Sequence, residues 1–144
     1  MKVDKVLSIH LSRMVKAVDK DCFRNAAMGL IALNDPTARY VEGHAVSKFH
    51  PIHHGWIEAI GQDGPYVIEV TPTWLDNDKV KYYPAVHFTR DEVARHVARY
   101  RVMPILNSDV MPPPLRQSYS MAMRDYVGAE KWPTYREMFH LDNV

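Results

Sequence analysis

His54-Gly55-Trp56-Ile57-Glu58-Ala59-Ile60, then Gly61-Gln62-Asp63-Gly64-Pro65, then Tyr66-Val67-Ile68-Glu69-Val70-Thr71 is the run on which the reading of this chain turns. Two segments rich in β-branched and aromatic residues, Gly55–Ile60 and Tyr66–Thr71, flank a cluster of glycine, aspartate and proline, which is hairpin chemistry. If the loop centres near Gln62–Asp63, antiparallel pairing sets His54 roughly opposite Thr71, with Glu69 two residues away on the face that Thr71 shares. The hairpin thus offers an imidazole on one strand and acceptors on the next. His53 is a neighbour in sequence only, because successive strand residues point to opposite faces.

Further elements follow on either side. Val6–Val18 is apolar with scattered basic residues and fits a helix or a strand. From Asp21, residues Phe23, Ala26, Ala27, Leu30, Ile31 and Leu33 recur near helical spacing, and Asn34-Asp35-Pro36 ends the run. Asp19 or Asp21 is expected to cap that helix. Ala38–Val46 reads as a strand with Tyr40, Glu42 and His44 on one face, and Tyr82–His87 as another. Thr89-Arg90-Asp91-Glu92 has the pattern of a capping box, opening a helix with Val93, Val97 and Tyr100 turned inward. Met111-Pro112-Pro113-Pro114 is expected to be a stiff extended connector, Ser118–Tyr126 a short helix, and Trp132-Pro133 a turn before a last helical turn. The expected fold is α+β: a Cys-bearing helix on a small antiparallel sheet, then a C-terminal helix and an extended tail. One domain is expected over 1–144, its core at about 20–103 and a wrapping arm at 104–144.

Composition narrows the function classes. The 144 residues are 47% hydrophobic and 24% charged, with a formal net charge of +1. Acids and bases are mixed without a dense basic stripe, so neither nucleic acid nor a membrane is expected as a partner. No apolar run approaches the ~20 residues that cross a bilayer. The N-terminus carries an acid and no long apolar region, so it is not expected to be a signal peptide, and a cytoplasmic setting is the default. Cys22 is the one cysteine, which excludes an internal disulfide framework. At the expected start of a helix, exposed N–H groups and the helix dipole favour its thiolate, the nucleophilic form. With His54 as base and Glu69 or Thr71 as orienting acceptor, the chain holds the parts of a Cys–His–acceptor triad.

Four ordered blocks carry a resemblance. Cys22-Phe23-Arg24-Asn25-Ala26, Tyr40-Val41-Glu42-Gly43-His44-Ala45, His54-Gly55-Trp56 and Thr71-Pro72-Thr73-Trp74 resemble the pattern of the papain-like, transglutaminase-like superfamily of thiol enzymes. Tyr82-Tyr83-Pro84-Ala85-Val86-His87-Phe88 is similar to the strand that follows in its small bacterial and phage members. The likeness spans roughly Asp21 to Val97. It implies a cysteine hydrolase or acyltransferase acting on an amide or ester in a peptide, protein or small molecule, with no cofactor and no metal. Cys22 would be the nucleophile and His54 the base. Asn25, His53, Trp56 and Trp74 are expected around the substrate pocket. The family's aspartate before Pro-Thr-Trp is Thr71 here, so either Glu69 substitutes or the triad is degraded.

Three other readings fit parts of the sequence. His44, His50, His53 and His54 form a dense cluster of imidazoles, which suit zinc, but match no common zinc spacing. Ile9-His10-Leu11-Ser12 and Val86-His87-Phe88-Thr89 fit the paired His-x-Ser/Thr tetrads of two-histidine phosphoesterases, with one histidine as acid and the other as base. A papain-like fold with a degraded triad would instead serve as a binding or inhibitor protein, its Met-, Tyr- and Trp-rich tail meeting a protein partner.

Overall fold

A computed structural model of the chain describes residues 1–75, 79–101 and 103–144. It is an α+β structure built on a five-stranded mixed sheet. In chain order the elements are β1 (Lys2–Val3), α1 (Lys5–Met14), α2 (Cys22–Ala32), β2 (Arg39–Val46), β3 (Ile52–Gly61), β4 (Gly64–Ile68), α3 (Pro72–Leu75), β5 (Lys81–Phe88), α4 (Arg90–Tyr100), α5 (Pro113–Val127) and α6 (Trp132–Met138). The sheet order is β1-β4-β3-β2-β5. All pairings are antiparallel except β1 with β4, a short parallel edge.

The hairpin forms on a two-residue turn, with Gly61 paired to Gly64 and Ile57 to Ile68. Gly64 sits at φ +102°, a left-handed conformation that an L side chain resists. Continuing that register would bring His54 opposite Thr71, as the sequence implies, but the ladder stops at Ile57–Ile68. Beyond it Glu69, Val70 and Thr71 leave the strand, so β4 runs Gly64–Ile68 and stops short of the expected end at Thr71.

Alternation divides the core between the two faces of the sheet. Tyr40, Ile57, Ala59, Ile68 and Val70 pack with Leu11, Ala26, Ala27 and Leu30 of α1 and α2. A smaller cluster of Val41, Trp56 and Val67, flanked by Val3 and Tyr82, lies on the other face. Where β2 meets β5 the pairing shifts register between Glu42 and Gly43. A Cβ at Gly43 would collide with the Tyr83 carbonyl oxygen, so the two backbones approach this closely only at glycine.

Several local expectations are corrected. Val6–Val18, open between helix and strand, is helical only as far as Met14, in α1, which is capped by the Asp4 side chain on the Leu7 N–H. Neither Asp19 nor Asp21 caps α2: Asp21 holds the N-cap position without a side-chain bond, and Asp19 accepts from the Thr73 N–H instead. The capping box at Thr89 and Glu92 is present, but of its helix only Val93 is fully buried, and Tyr100 is 53% exposed. The proline run is not an extended connector, for Pro113 and Pro114 open α5, where a missing N–H costs nothing. α5 is longer than expected, and its Tyr83–Asp125 and His44–Ser118 bonds dock it on β5 and β2. Among the described residues, no helix is long and apolar enough to cross a membrane.

Candidate functional site

Cys22 begins α2 with its side chain part-exposed, where the first N–H groups of the helix have no partner within it. Asn25, one turn on, fastens the preceding turn to the helix. Its Oδ1 accepts from the Val18 N–H at 3.1 Å and its Nδ2 donates to the Val18 carbonyl at 2.7 Å. The same Nδ2 donates to Thr71 Oγ1 at 3.1 Å, tying the start of α2 to the segment after β4. Phe23 packs on Gly55 so closely that a Cβ there would stand 2.8 Å from Phe23 Cδ1.

His54 projects from β3 between Trp56, Trp74 and Tyr82, with the Trp74 ring 4.2 Å from its own. It is 1% exposed, as is Glu69. His54 Nε2 lies 2.6 Å from Glu69 Oε1, a distance typical of a charge-assisted bond. A carboxylate can only accept, so Nε2 carries the hydrogen and Nδ1 is the nitrogen left to exchange a proton. Burial would make the ring less basic. The Glu69 charge leads the influences that outweigh it, followed by the Cys22 side chain and the bond to Glu69, and together they push His54 up to about 10.

Glu69 is itself held from four sides. Its Oε1 also accepts from the Tyr82 hydroxyl at 2.9 Å, its Oε2 from the Thr71 N–H at 3.2 Å, and its own N–H donates to Ser8 Oγ at 2.9 Å. Of the two acceptors weighed from the sequence, Glu69 makes the bond to His54. Thr71 uses its hydroxyl toward Asn25 and its N–H toward Glu69. It therefore supports the carboxylate rather than the imidazole.

The expected pocket residues divide. Asn25 and Trp56 are fully buried, so neither lines an open cleft: Asn25 clamps α2, and Trp56 packs beside His54 with its indole N–H on Glu58. Trp74 covers His54. His53 points to the opposite face, 4.6 Å from the Phe23 ring. There its Nε2 is buried without a hydrogen bond, 3.5 Å from Glu42 Oε1. Glu42 is occupied by shorter bonds from Tyr40 Oη and the Ile105 and Leu106 N–H groups. His44, on that same face, is pushed down to about 3 by burial and then by His53, and bonds Ser118 at 2.7 Å.

The two-histidine phosphoesterase site does not form. His10 is exposed on α1, which packs toward the β1–β4 edge of the sheet. His87 lies on β5 at the other edge, bonded to Glu58, and Thr89 is the helix cap. Separation in the sheet defeats a pattern that local sequence allows. In the other direction, Tyr82 and Ser8 belong to the surroundings of Glu69 although nothing in the sequence singled out their roles. The strand phase of Tyr82 was legible, but not which carboxylate it would meet.

Compared with known proteins, the chain matches no family model, no curated protein and no solved structure.

Proposed function

We propose that the chain is a thiol-dependent hydrolase or acyltransferase of papain-like type, acting on an amide or ester bond. The observation that carries this reading is the buried His54–Glu69 bond of 2.6 Å, with Cys22 at a helix start as the thiol this pair would serve. Such an arrangement holds a protonated imidazole ready to serve a sulfur nucleophile.

In the proposed reaction Cys22 Sγ attacks the carbonyl carbon, and the carbonyl electron pair moves onto oxygen. The Cys22 backbone N–H, which has no acceptor within α2 at its first turn, stabilises that oxyanion. His54 Nδ1–H then protonates the leaving nitrogen or oxygen as the tetrahedral intermediate collapses to a thioester. Neutral His54 next takes a proton from water, or from an acceptor amine or alcohol, which attacks the thioester and frees Cys22. Throughout, Glu69 keeps the Nε2 proton in place, so the ring presents Nδ1 to the reacting groups.

The test is alkylation of Cys22 by iodoacetamide at neutral pH, compared with glutathione and with the His54→Gln variant. Rapid labelling that falls in His54→Gln is expected. Labelling no faster than glutathione would sink the hydrolase reading and leave a binding protein, for which the C-terminal helices, with Met121, Tyr126, Met138 and Phe139 exposed, offer a surface.

A further inference from the structure

One oxygen of Glu69 serves two donors. Oε1 accepts from His54 Nε2 at 2.6 Å and from the Tyr82 hydroxyl at 2.9 Å. Tyr82 arrives from β5, with β2 lying between its strand and that of His54. Its ring packs 5.0 Å from Trp56 and 6.3 Å from His54, so its reach to Glu69 is fixed by aromatic contacts as well as by the bond. Burial, then the Glu69 charge and the bond to it, hold the phenol far above its ordinary range. Tyr82 is therefore a neutral donor wherever the protein is folded.

Among the described residues, the titratable groups facing this point are Cys22 from α2, His54 from β3, Glu69 and Tyr82. Trp56 and Trp74 supply neutral walls, and Ser8 from α1 and the Thr71 N–H supply neutral hydrogen bonds. An acid that must release a proton to a leaving group works best when its affinity for that proton lies near the working pH. A buried carboxylate serving His54 alone would hold the imidazolium proton more firmly than one shared with a second donor.

We infer that Tyr82 is a positioning residue of the Cys22–His54–Glu69 relay: its hydroxyl fixes Glu69 Oε1 and shares that oxygen with His54, keeping the imidazolium proton transferable. The inference rests on the hydrolase reading above and adds a residue to it.

The experiment is NMR of the His54 ring in ¹⁵N-histidine-labelled protein, for wild type and Tyr82→Phe, which removes one oxygen and keeps the ring. In Tyr82→Phe the Nε2–H resonance should move downfield, and the upper edge of ring protonation should rise by about half to one pH unit. In a Glu69→Gln background the same substitution should move neither. 3-Fluorotyrosine placed at position 82 alone preserves the fold and strengthens the donor, so it should move the resonance upfield. An unmoved resonance in both variants, or shifts of the opposite sign, would overturn the inference. Slow alkylation of wild-type Cys22 defeats the hydrolase reading instead. Rapid alkylation with an unmoved His54 proton defeats the role of Tyr82 alone.

Discussion

Replacing Glu69 by glutamine should abolish a pH dependence of folding that His54 creates. The comparison is made in a Cys22→Ala background, so that the thiol's own proton does not enter the balance. Glu69 is the largest of the influences that raise His54 from its ordinary 6.5 to about 10. A ring raised in this way keeps, in the folded protein, a proton that the unfolded chain has released above about pH 6.5. Its stabilisation is complete below that pH and is lost as pH climbs toward the folded-state value. One extra proton in the native state corresponds to about 1.4 kcal/mol per pH unit, so moving from pH 7 to 8.5 should remove up to about 2 kcal/mol, less by whatever Cys22 itself adds to the ring's hold on the proton.

With glutamine at 69 burial dominates, the folded ring is neutral over this range, and the loss of stability with rising pH should vanish. The variant should also be less stable at pH 7 by about 3–5 kcal/mol, the usual cost of breaking a buried pair from one side. A single amide oxygen cannot serve both the His54–Tyr82 side and the Thr71 N–H. Urea unfolding at half-unit steps from pH 6.5 to 8.5, followed by tryptophan fluorescence, reads both effects, since Trp56 and Trp74 flank His54. Parallel slopes for the two variants would refute the assignment of Glu69 as the group that holds the His54 proton.

On the other side of neutrality, His44 titrates in the opposite sense. Its value is lowered to about 3, so the native state resists a proton that the unfolded chain accepts below about 6.5. Its contribution is present above that pH and fades as pH falls, by about 1.4 kcal/mol per unit. His44→Gln should flatten the acid limb of stability between pH 6.5 and 4.5, and an unchanged limb would count against it. Gly55→Ala would place a Cβ 2.8 Å from Phe23 Cδ1 and 3.3 Å from Phe23 Cα, against the backbone that carries Cys22. It should cost about 1–3 kcal/mol and slow Cys22 alkylation. Wild-type melting and labelling would show that the contact relaxes freely.

Much of the β architecture was legible because its signals are local. The Gly61–Pro65 loop and the strands on either side of it set the register that aims His54 toward Thr71. Alternation alone separated His53 from His54, and Thr89 with Glu92 announced α4. The misread segments failed for equally physical reasons. Pro113 and Pro114 satisfy both an extended connector and a helix start, and only the packing of α5 on β2 and β5 selects the latter. Tyr100 sits at an inward spacing on a helix that ends before the core reaches it. His10 and His87 keep the right company in sequence yet face opposite edges of the sheet.

The candidate site divides along the same line. Sequence alone determined that a lone cysteine opens a helix and that a histidine stands on a strand whose hairpin partner leads into Glu69 and Thr71. Those facts follow from turn chemistry and from a side-chain period of two. It could not choose between Glu69 and Thr71, because both lie on one face and differ only in reach. Tertiary structure made the choice by ending the β3–β4 ladder at Ile57–Ile68, which frees Glu69 to fold onto His54. Asn25 then draws Thr71 toward α2, and Tyr82, distant in the chain, closes on the shared oxygen. Strand pairing is a short-range property, whereas which buried donors meet which carboxylate depends on how the layers pack.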